Sequence, residues 1–260
     1  MKAPVIMVHG AFCGGWTFDV FRAPFEAAGH QVLTPDLPGR APGESTVGLS
    51  MSDYARAVVR LIRSCEKPPI LIGHSMGGLV AQLAAGRAPV DRLILLAPSP
   101  PWGVHGASLE EAVSAVSLYS LGPYWLQAIA PDYGVVRRYS LDRLPRETRR
   151  ALYARMTSES GRALWETLNW WLDPFMTTSP GAVKAPVLAI AGGQDVVHPP
   201  ATVRQTAARL GGVFREFPEM SHWLPGEPGW EDVAQACLDF IAAKTGRRPD
   251  ALLPVNSTSP

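Results

Sequence analysis

Gly73-His74-Ser75-Met76-Gly77 constrains this chain more than any other stretch. It follows the short apolar run Pro69-Ile70-Leu71-Ile72 and opens into Gly78-Leu79-Val80-Ala81-Gln82-Leu83-Ala84-Ala85, a helical pattern. A chain that turns from strand to helix within a residue or two holds the middle residue in a strained backbone conformation. Glycines two positions either side remove the Cβ atoms that would clash there. The helix begins just after Ser75. Its unpaired N–H groups and the positive end of its dipole therefore face any negative charge that develops on a carbon attacked by the hydroxyl. Alone, the spacing recurs by chance; between a buried strand and a helix it points to a serine nucleophile.

The surrounding pattern is strand, helix, strand, helix. Val5-Ile6-Met7-Val8 reads as a buried strand, followed by a helix from about Trp16 to Ala28 and a short strand from about Gln31 to Thr34. Asp36-Leu37-Pro38-Gly39 is a turn by its Pro-Gly pair. Met51 to Cys65 has apolar residues at helical spacing, with Ser52 or Asp53 available as cap. Strands at Ile70 to Ile72 and Arg92 to Leu96 are continuously apolar, as strands buried on both faces of a parallel sheet must be. Alternation stops between 101 and 183, where helical patterns, prolines and five of the eight tryptophans occur, and no clear strand. It resumes with a strand at Pro186 to Ala191, a helix at Ala201 to Leu210, a strand at Val213 to Phe217 and a helix at Trp230 to Lys244. The expected architecture is an α/β core (1–100 and 184–245) interrupted by a helical cap (101–183). Open parallel sheets place their ligand crevices at the carboxyl ends of the strands, and the cap is expected there. Residues 246–260 lack periodicity and are expected to form a mobile tail.

At 260 residues the chain is long enough for a substantial core. A net charge of +1 argues against a nucleic-acid partner, which needs a concentrated basic surface. The arginines between 137 and 150 are interleaved with Asp142 and Glu147 and read as a solvated helical face. Cys13, Cys65 and Cys237 show neither CxxC spacing nor an even count, so no disulfide framework is expected and a reducing, cytoplasmic compartment is. No apolar run approaches the roughly 20 residues that span a bilayer. Nothing in the sequence bears on oligomeric state.

A serine hydroxyl needs a base, and the base needs an orienting acid. His222 lies in the loop after the last strand, and Asp195 in Gly192-Gly193-Gln194-Asp195 follows the strand ending at Ala191, both at the edge where Ser75 sits. The order Ser75, Asp195, His222 is therefore the expected triad. His198 competes as base and Asp173 as acid; the first sits before Pro199-Pro200 and the second in the insertion. An oxyanion needs two backbone donors. Met76 N–H is one. The other is expected from the loop His9-Gly10-Ala11-Phe12-Cys13-Gly14-Gly15-Trp16, with Ala11 first and Phe12 as the alternative.

His9-Gly10, Asp36-Leu37-Pro38-Gly39, Gly73-His74-Ser75-Met76-Gly77-Gly78, Gly193-Gln194-Asp195 and Ser221-His222 together resemble the α/β-hydrolase superfamily over the whole globular length. The loop from His9 to Trp16 is similar to that of plant methyl-ester esterases, hydroxynitrile lyases and small bacterial esterases. The resemblance implies an α/β-hydrolase fold with about six mostly parallel strands, helices on both faces and a cap. It also implies an acyl-enzyme on Ser75 and a mechanism without cofactor or metal. Arg40 stands where many relatives carry histidine. Gly10 and Trp223 replace the threonine and lysine of hydroxynitrile lyases, which disfavours cyanohydrin cleavage. The resulting expectation is a carboxylesterase for an apolar small-to-medium ester. Thioester, lactone or C–C bond hydrolysis, or a non-catalytic small-molecule binder on the same scaffold, are the alternatives. Trp102, Trp125 and Trp223 are candidate walls of the substrate pocket, although aromatics of the insertion equally suit its own small core. Activity is expected to rise with pH around an ordinary histidine value of about 6.5.

Overall fold

The computed structural model describes residues 2–106 and 119–243. Six strands form one parallel sheet in the order β2-β1-β3-β4-β7-β8: β1 Val5–Val8, β2 Val32–Leu33, β3 Ile70–His74, β4 Arg92–Leu96, β7 Val187–Gly192 and β8 Val213–Phe217. β2 is added on one side of β1 and β3 on the other, after which β4, β7 and β8 extend the sheet in a single direction. Alternate side chains of each strand leave opposite faces, and both faces are buried. Ile6, Val8, Leu71, Leu93, Leu95 and Ala189 pack under α2 (Met51–Ser64), α3 (Met76–Ala85) and the helix Pro200–Arg209. Val5, Met7, Ile70, Ile72, Ile94 and Ile190 pack on the other face against Phe18, Phe21, Phe25 and the helix Trp230–Ala242, through Val233, Cys237 and Phe240.

Local chemistry explains where elements differ from expectation. The pattern from Trp16 to Ala28 is not one helix. A 3₁₀ turn, Gly15–Phe18, is followed by a separate helix, α1 (Ala23–Ala27). Pro24 has no N–H to donate and sits in the first turn of α1, the helical position proline tolerates. The cap of α2 is Ser50, not Ser52 or Asp53. Ser50 Oγ accepts Asp53 N–H at 3.1 Å while the Asp53 carboxylate accepts Ser50 N–H at 2.9 Å, a reciprocal capping box.

The segment between β4 and β7 carries helices at Arg146–Tyr153 and Gly161–Leu168. It also holds a strand pair that the sequence pattern did not announce, β5 (Ala128–Ile129) antiparallel to β6 (Glu159–Ser160). Two residues per strand are too few to show a period. The 246–260 tail and part of the insertion, 107–118, lie outside the described residues. Among the described residues no helix is long and apolar enough to cross a membrane.

Ser50→Ala is expected to lower stability by about 1 kcal/mol, the usual value of an N-cap. Urea denaturation should show a lower midpoint with an unchanged slope.

Candidate active site

Ser75 sits between β3 and α3 with φ 54° and ψ −127°, a left-handed backbone that a residue with a Cβ rarely adopts. Its neighbours explain how the turn is held. A Cβ at Gly73 would lie 2.4 Å from the Gly77 carbonyl oxygen, and one at Gly77 would lie 2.2 Å from the His9 carbonyl oxygen. The two glycines thus let α3 start against the carboxyl ends of β1 and β3. Ser75 N–H is fixed on Leu96 O at 3.0 Å. Among buried neighbours, Ser75 alone between 70 and 80 keeps partial exposure.

Ser75 Oγ lies 3.0 Å from His222 Nε2, and His222 Nδ1 lies 2.8 Å from Asp195 Oδ2. The three side chains are 147 and 27 positions apart in sequence, yet all stand at the carboxyl edge of the sheet. The other carboxylate oxygen of Asp195 accepts the Val197 and His198 amides at 2.8 and 3.0 Å, which fixes its plane. Glu227 accepts Ser221 N–H at 2.7 Å and anchors the loop that carries His222. Burial alone would lower the His222 pKa, but the charge and hydrogen bond of Asp195 overcome it and hold it above the ordinary histidine value. Burial would raise Asp195, and the same imidazole, with His198 and its amide, brings it below the usual carboxylate range.

Three further histidines surround the pair. His9 Nε2 accepts Leu37 N–H at 3.0 Å and its Nδ1–H donates to Gly10 O at 2.9 Å, so both ring nitrogens are committed to backbone. His74 donates from Nε2 to His222 O at 2.9 Å. His198, the competing base, lies 3.0 Å from Ser99 Oγ through Nε2, and its ring centroid is 5.4 Å from that of His222. Burial pushes His9 down to about 4 and His74 and His198 to about 3, with the His222 charge adding to the last two. Asp173, the competing acid, accepts from the Phe175 and Thr177 amides and the Thr177 hydroxyl within the insertion.

Met76 N–H opens α3 and has no partner within the helix. Among the described residues the Ala11 amide meets no hydrogen-bond acceptor, whereas Phe12 N–H is bonded to Glu159 Oε2 at 3.2 Å. The Cys13 thiol is buried, and that burial pushes it up to about 12, so it stays protonated at neutral pH. Of the three tryptophans, Trp223 adjoins the site. It is buried, its ring centroid is 5.5 Å from that of His74, and it packs with Cys13, Val136, Leu141 and Leu144. Trp102 packs edge-on against Trp170, and Trp125 against Tyr119 and Tyr124, both within aromatic clusters of the insertion. Among the described residues no group of three His, Cys, Asp or Glu side chains is placed to hold a metal ion.

A buried polar cluster that no sequence pattern marks stands beside this edge. Glu159, fully buried, accepts from Arg40, Tyr54, Phe12 N–H and Ser160 N–H. Its one visible signal was Arg40 after Asp36-Leu37-Pro38-Gly39; nothing in the sequence links that position to 159.

The alpha/beta hydrolase family model matches residues 5–236, and the chain belongs to that family. It is similar to a pyrethroid hydrolase of Sphingobium wenxiniae, 28% identical over 95% of this chain and 90% of that one. It is also similar to a carbendazim hydrolyzing esterase of Nocardioides sp., 28% identical over 90% of this chain and 91% of that one. Among solved structures, an extracellular alpha/beta-hydrolase from a Paenibacillus species shares the fold with a TM-score of 0.71 at 20% identity, over 92% of this chain and 98% of that one.

The buried rings make stability depend on pH. A histidine held below its unfolded value of about 6.5 contributes stability in full above that pH and loses it as pH falls towards its folded value. His9, His74 and His198 all act in this sense down to about 4 and 3. Glu227 opposes them: burial holds it up to about 7, so it takes up one proton in the folded state as pH falls below that. His222 and Glu166, both held above their ordinary values, also take up their protons in the folded state first, but His222 does so above about pH 6.5, so below that pH the three strongly depressed histidines outweigh the two carboxyls. The urea midpoint is expected to drop between about pH 6.5 and about pH 4, and an unchanged midpoint would be incompatible with neutral buried rings.

Proposed function

We propose that this chain is a serine carboxylesterase that cleaves apolar small-to-medium esters through an acyl-enzyme on Ser75. The observation that carries the reading is the unbroken chain of contacts from Ser75 Oγ through His222 to Asp195, 3.0 and 2.8 Å long, on a hydroxyl held in strained backbone. Asp195 holds Nδ1–H, which leaves Nε2 as the acceptor facing the serine proton.

In the first half-reaction, Ser75 Oγ attacks the ester carbonyl carbon as its proton passes to His222 Nε2. The carbonyl oxygen becomes negative and takes hydrogen bonds from Met76 N–H and Ala11 N–H. Collapse breaks the C–O bond, and His222 returns the proton to the departing alkoxide. In the second, water adds to the acyl carbon with His222 as base, and Ser75 leaves with the proton, releasing the acid. The insertion acts as the cap, with Trp223 a wall between it and the core. The family and the hydrolase and esterase relatives support ester hydrolysis at this site.

Ser75→Ala and His222→Ala are each expected to abolish turnover of nitrophenyl esters with the fold retained, and a fluorophosphonate probe should label Ser75 alone. A folded protein that resists the probe would favour the binding-protein alternative, and hydrolysis retained in either variant would refute the mechanism. Asp195→Asn should lower kcat by roughly 10⁴-fold through loss of base orientation.

Neutral His222 is the active form, so kcat/KM rises with pH. Its raised pKa moves the acid limb above the ordinary value of about 6.5, higher than the sequence alone implied. A limb at or below that value, or a rate flat between pH 5 and pH 8, would count against an imidazole paired with a buried carboxylate.

A further inference from the structure

We propose that Glu159 is a positioning residue for the oxyanion loop: seated by Arg40 and Tyr54, its carboxylate clamps the backbone of Phe12 so that Ala11 N–H faces the reacting carbonyl oxygen. This rests on the acyl-transfer reading above and adds a requirement to it: the insertion must be seated for the oxyanion site to be complete.

The loop after β1 is not self-supporting. Phe12 has φ 64°, left-handed for a bulky residue that disfavours it. Such a conformation persists where surrounding contacts impose it, and here they come from the insertion. Phe12 N–H donates to Glu159 Oε2 at 3.2 Å, and Phe12 O accepts Thr157 N–H at 2.9 Å. Phe12 is thus gripped through both its N–H and its carbonyl by residues 159 and 157. The next carbonyl, Cys13 O, accepts Arg40 Nε–H at 3.0 Å, and the same guanidinium donates from Nη2 to Glu159 Oε2 at 2.5 Å.

Glu159 itself has little freedom. Oε1 accepts Tyr54 O–H at 2.6 Å and Ser160 N–H at 2.7 Å, while Oε2 holds the Phe12 and Arg40 contacts. The Arg40 and Glu159 side chains are 3% and 0% exposed. An apolar pair of similar volume commonly serves stability as well as a buried ion pair does. The arrangement gains its meaning from what it touches, which is the loop facing Ser75. The Cβ position of Gly10 lies 3.0 Å from Ser75 Cβ, so a small rotation of this loop moves its amides relative to the nucleophile. Because Glu159 occupies the Phe12 amide, Ala11 is the amide left to bind an oxyanion.

The test compares Glu159→Gln with the unaltered protein on a nitrophenyl ester, counting competent sites by fluorophosphonate titration. The amide retains the size of the carboxylate but loses the charge that holds Arg40. Per titrated site, kcat is expected to fall roughly tenfold or more with KM within about twofold, less than outright loss of an oxyanion donor. A trifluoromethyl ketone, which adds Ser75 to give a tetrahedral oxyanion, should weaken by the same factor as kcat/KM. The corresponding methyl ketone, which stays planar, should bind nearly as before. Unchanged kcat per site, or equal weakening of both ketones, would overturn the proposal in favour of a purely structural role. If Glu159→Gln does not fold, the double variant Arg40→Met with Glu159→Met takes its place under the same readouts; it leaves no buried charge unpaired and still deprives Phe12 N–H of its acceptor. An unaltered protein that neither hydrolyses the ester nor labels at Ser75 overturns the acyl-transfer reading first and the proposal with it, a result separable from loss of kcat in the variant alone.

Discussion

The close approach of α3 to the carboxyl end of β1 is the constraint on which the site depends. With Gly77 carrying no Cβ, the helix begins against the His9 carbonyl, and the turn before it forces Ser75 to φ 54°. That single contact sets three things together. It lifts the hydroxyl out of the sheet edge, points the first amides of α3 at the space above it, and brings the loop after β1 beside Ser75. Strain is concentrated at this edge: Phe12, Ser75 and Ala97, following β1, β3 and β4, are three of the four non-glycine residues with positive φ among the described residues. Neighbouring strands of a parallel sheet end side by side, so strained turns gathered there share one crevice.

Electrostatics complete what the backbone begins. Asp195 and His222 are buried together, and a low-polarity setting strengthens their attraction while penalising any charge without a partner. The surrounding histidines are therefore held neutral, and the rings of His9 and His74 serve as hydrogen-bonding groups to backbone while that of His198 meets the Ser99 hydroxyl. His9 ties the end of β1 to the Leu37 turn, and His74 ties the Ser75 turn to the His222 loop. A second protonated imidazole within about 5 Å of His222 would repel its charged form. Their neutrality thus protects the pairing that raises the His222 pKa.

Residues governed by local rules were legible in the sequence. The elbow, the strand ends that carry Asp195 and His222, and the parallel core all follow from turn chemistry and apolar patterning over short windows. The departures have local causes too: Pro24 divides one expected helix, and Ser50 rather than Ser52 completes a box with Asp53. What could not be read depends on the insertion. Its β5–β6 pair is too short for periodicity, and its tryptophans satisfy the same apolar criterion whether they line a pocket or pack on each other, as Trp102 does with Trp170. The Arg40–Glu159 contact joins positions 119 apart, and neither residue carries a motif that predicts the other.

That contact also bears on why a carboxylate is buried here. Removing one member of such a pair leaves an uncompensated charge, whereas replacing both is often harmless to stability. Stability therefore explains why the two residues go together without explaining why either is present. An apolar pair would fill the volume between α2 and β6, but it would offer nothing to the Phe12 amide or the Cys13 carbonyl. A strained loop facing Ser75 needs directional partners, since dispersion contacts fix position far less sharply than hydrogen bonds do. The polar seam is intelligible as the means by which an insertion, joined to the core between two strands, sets the orientation of a loop it does not covalently adjoin.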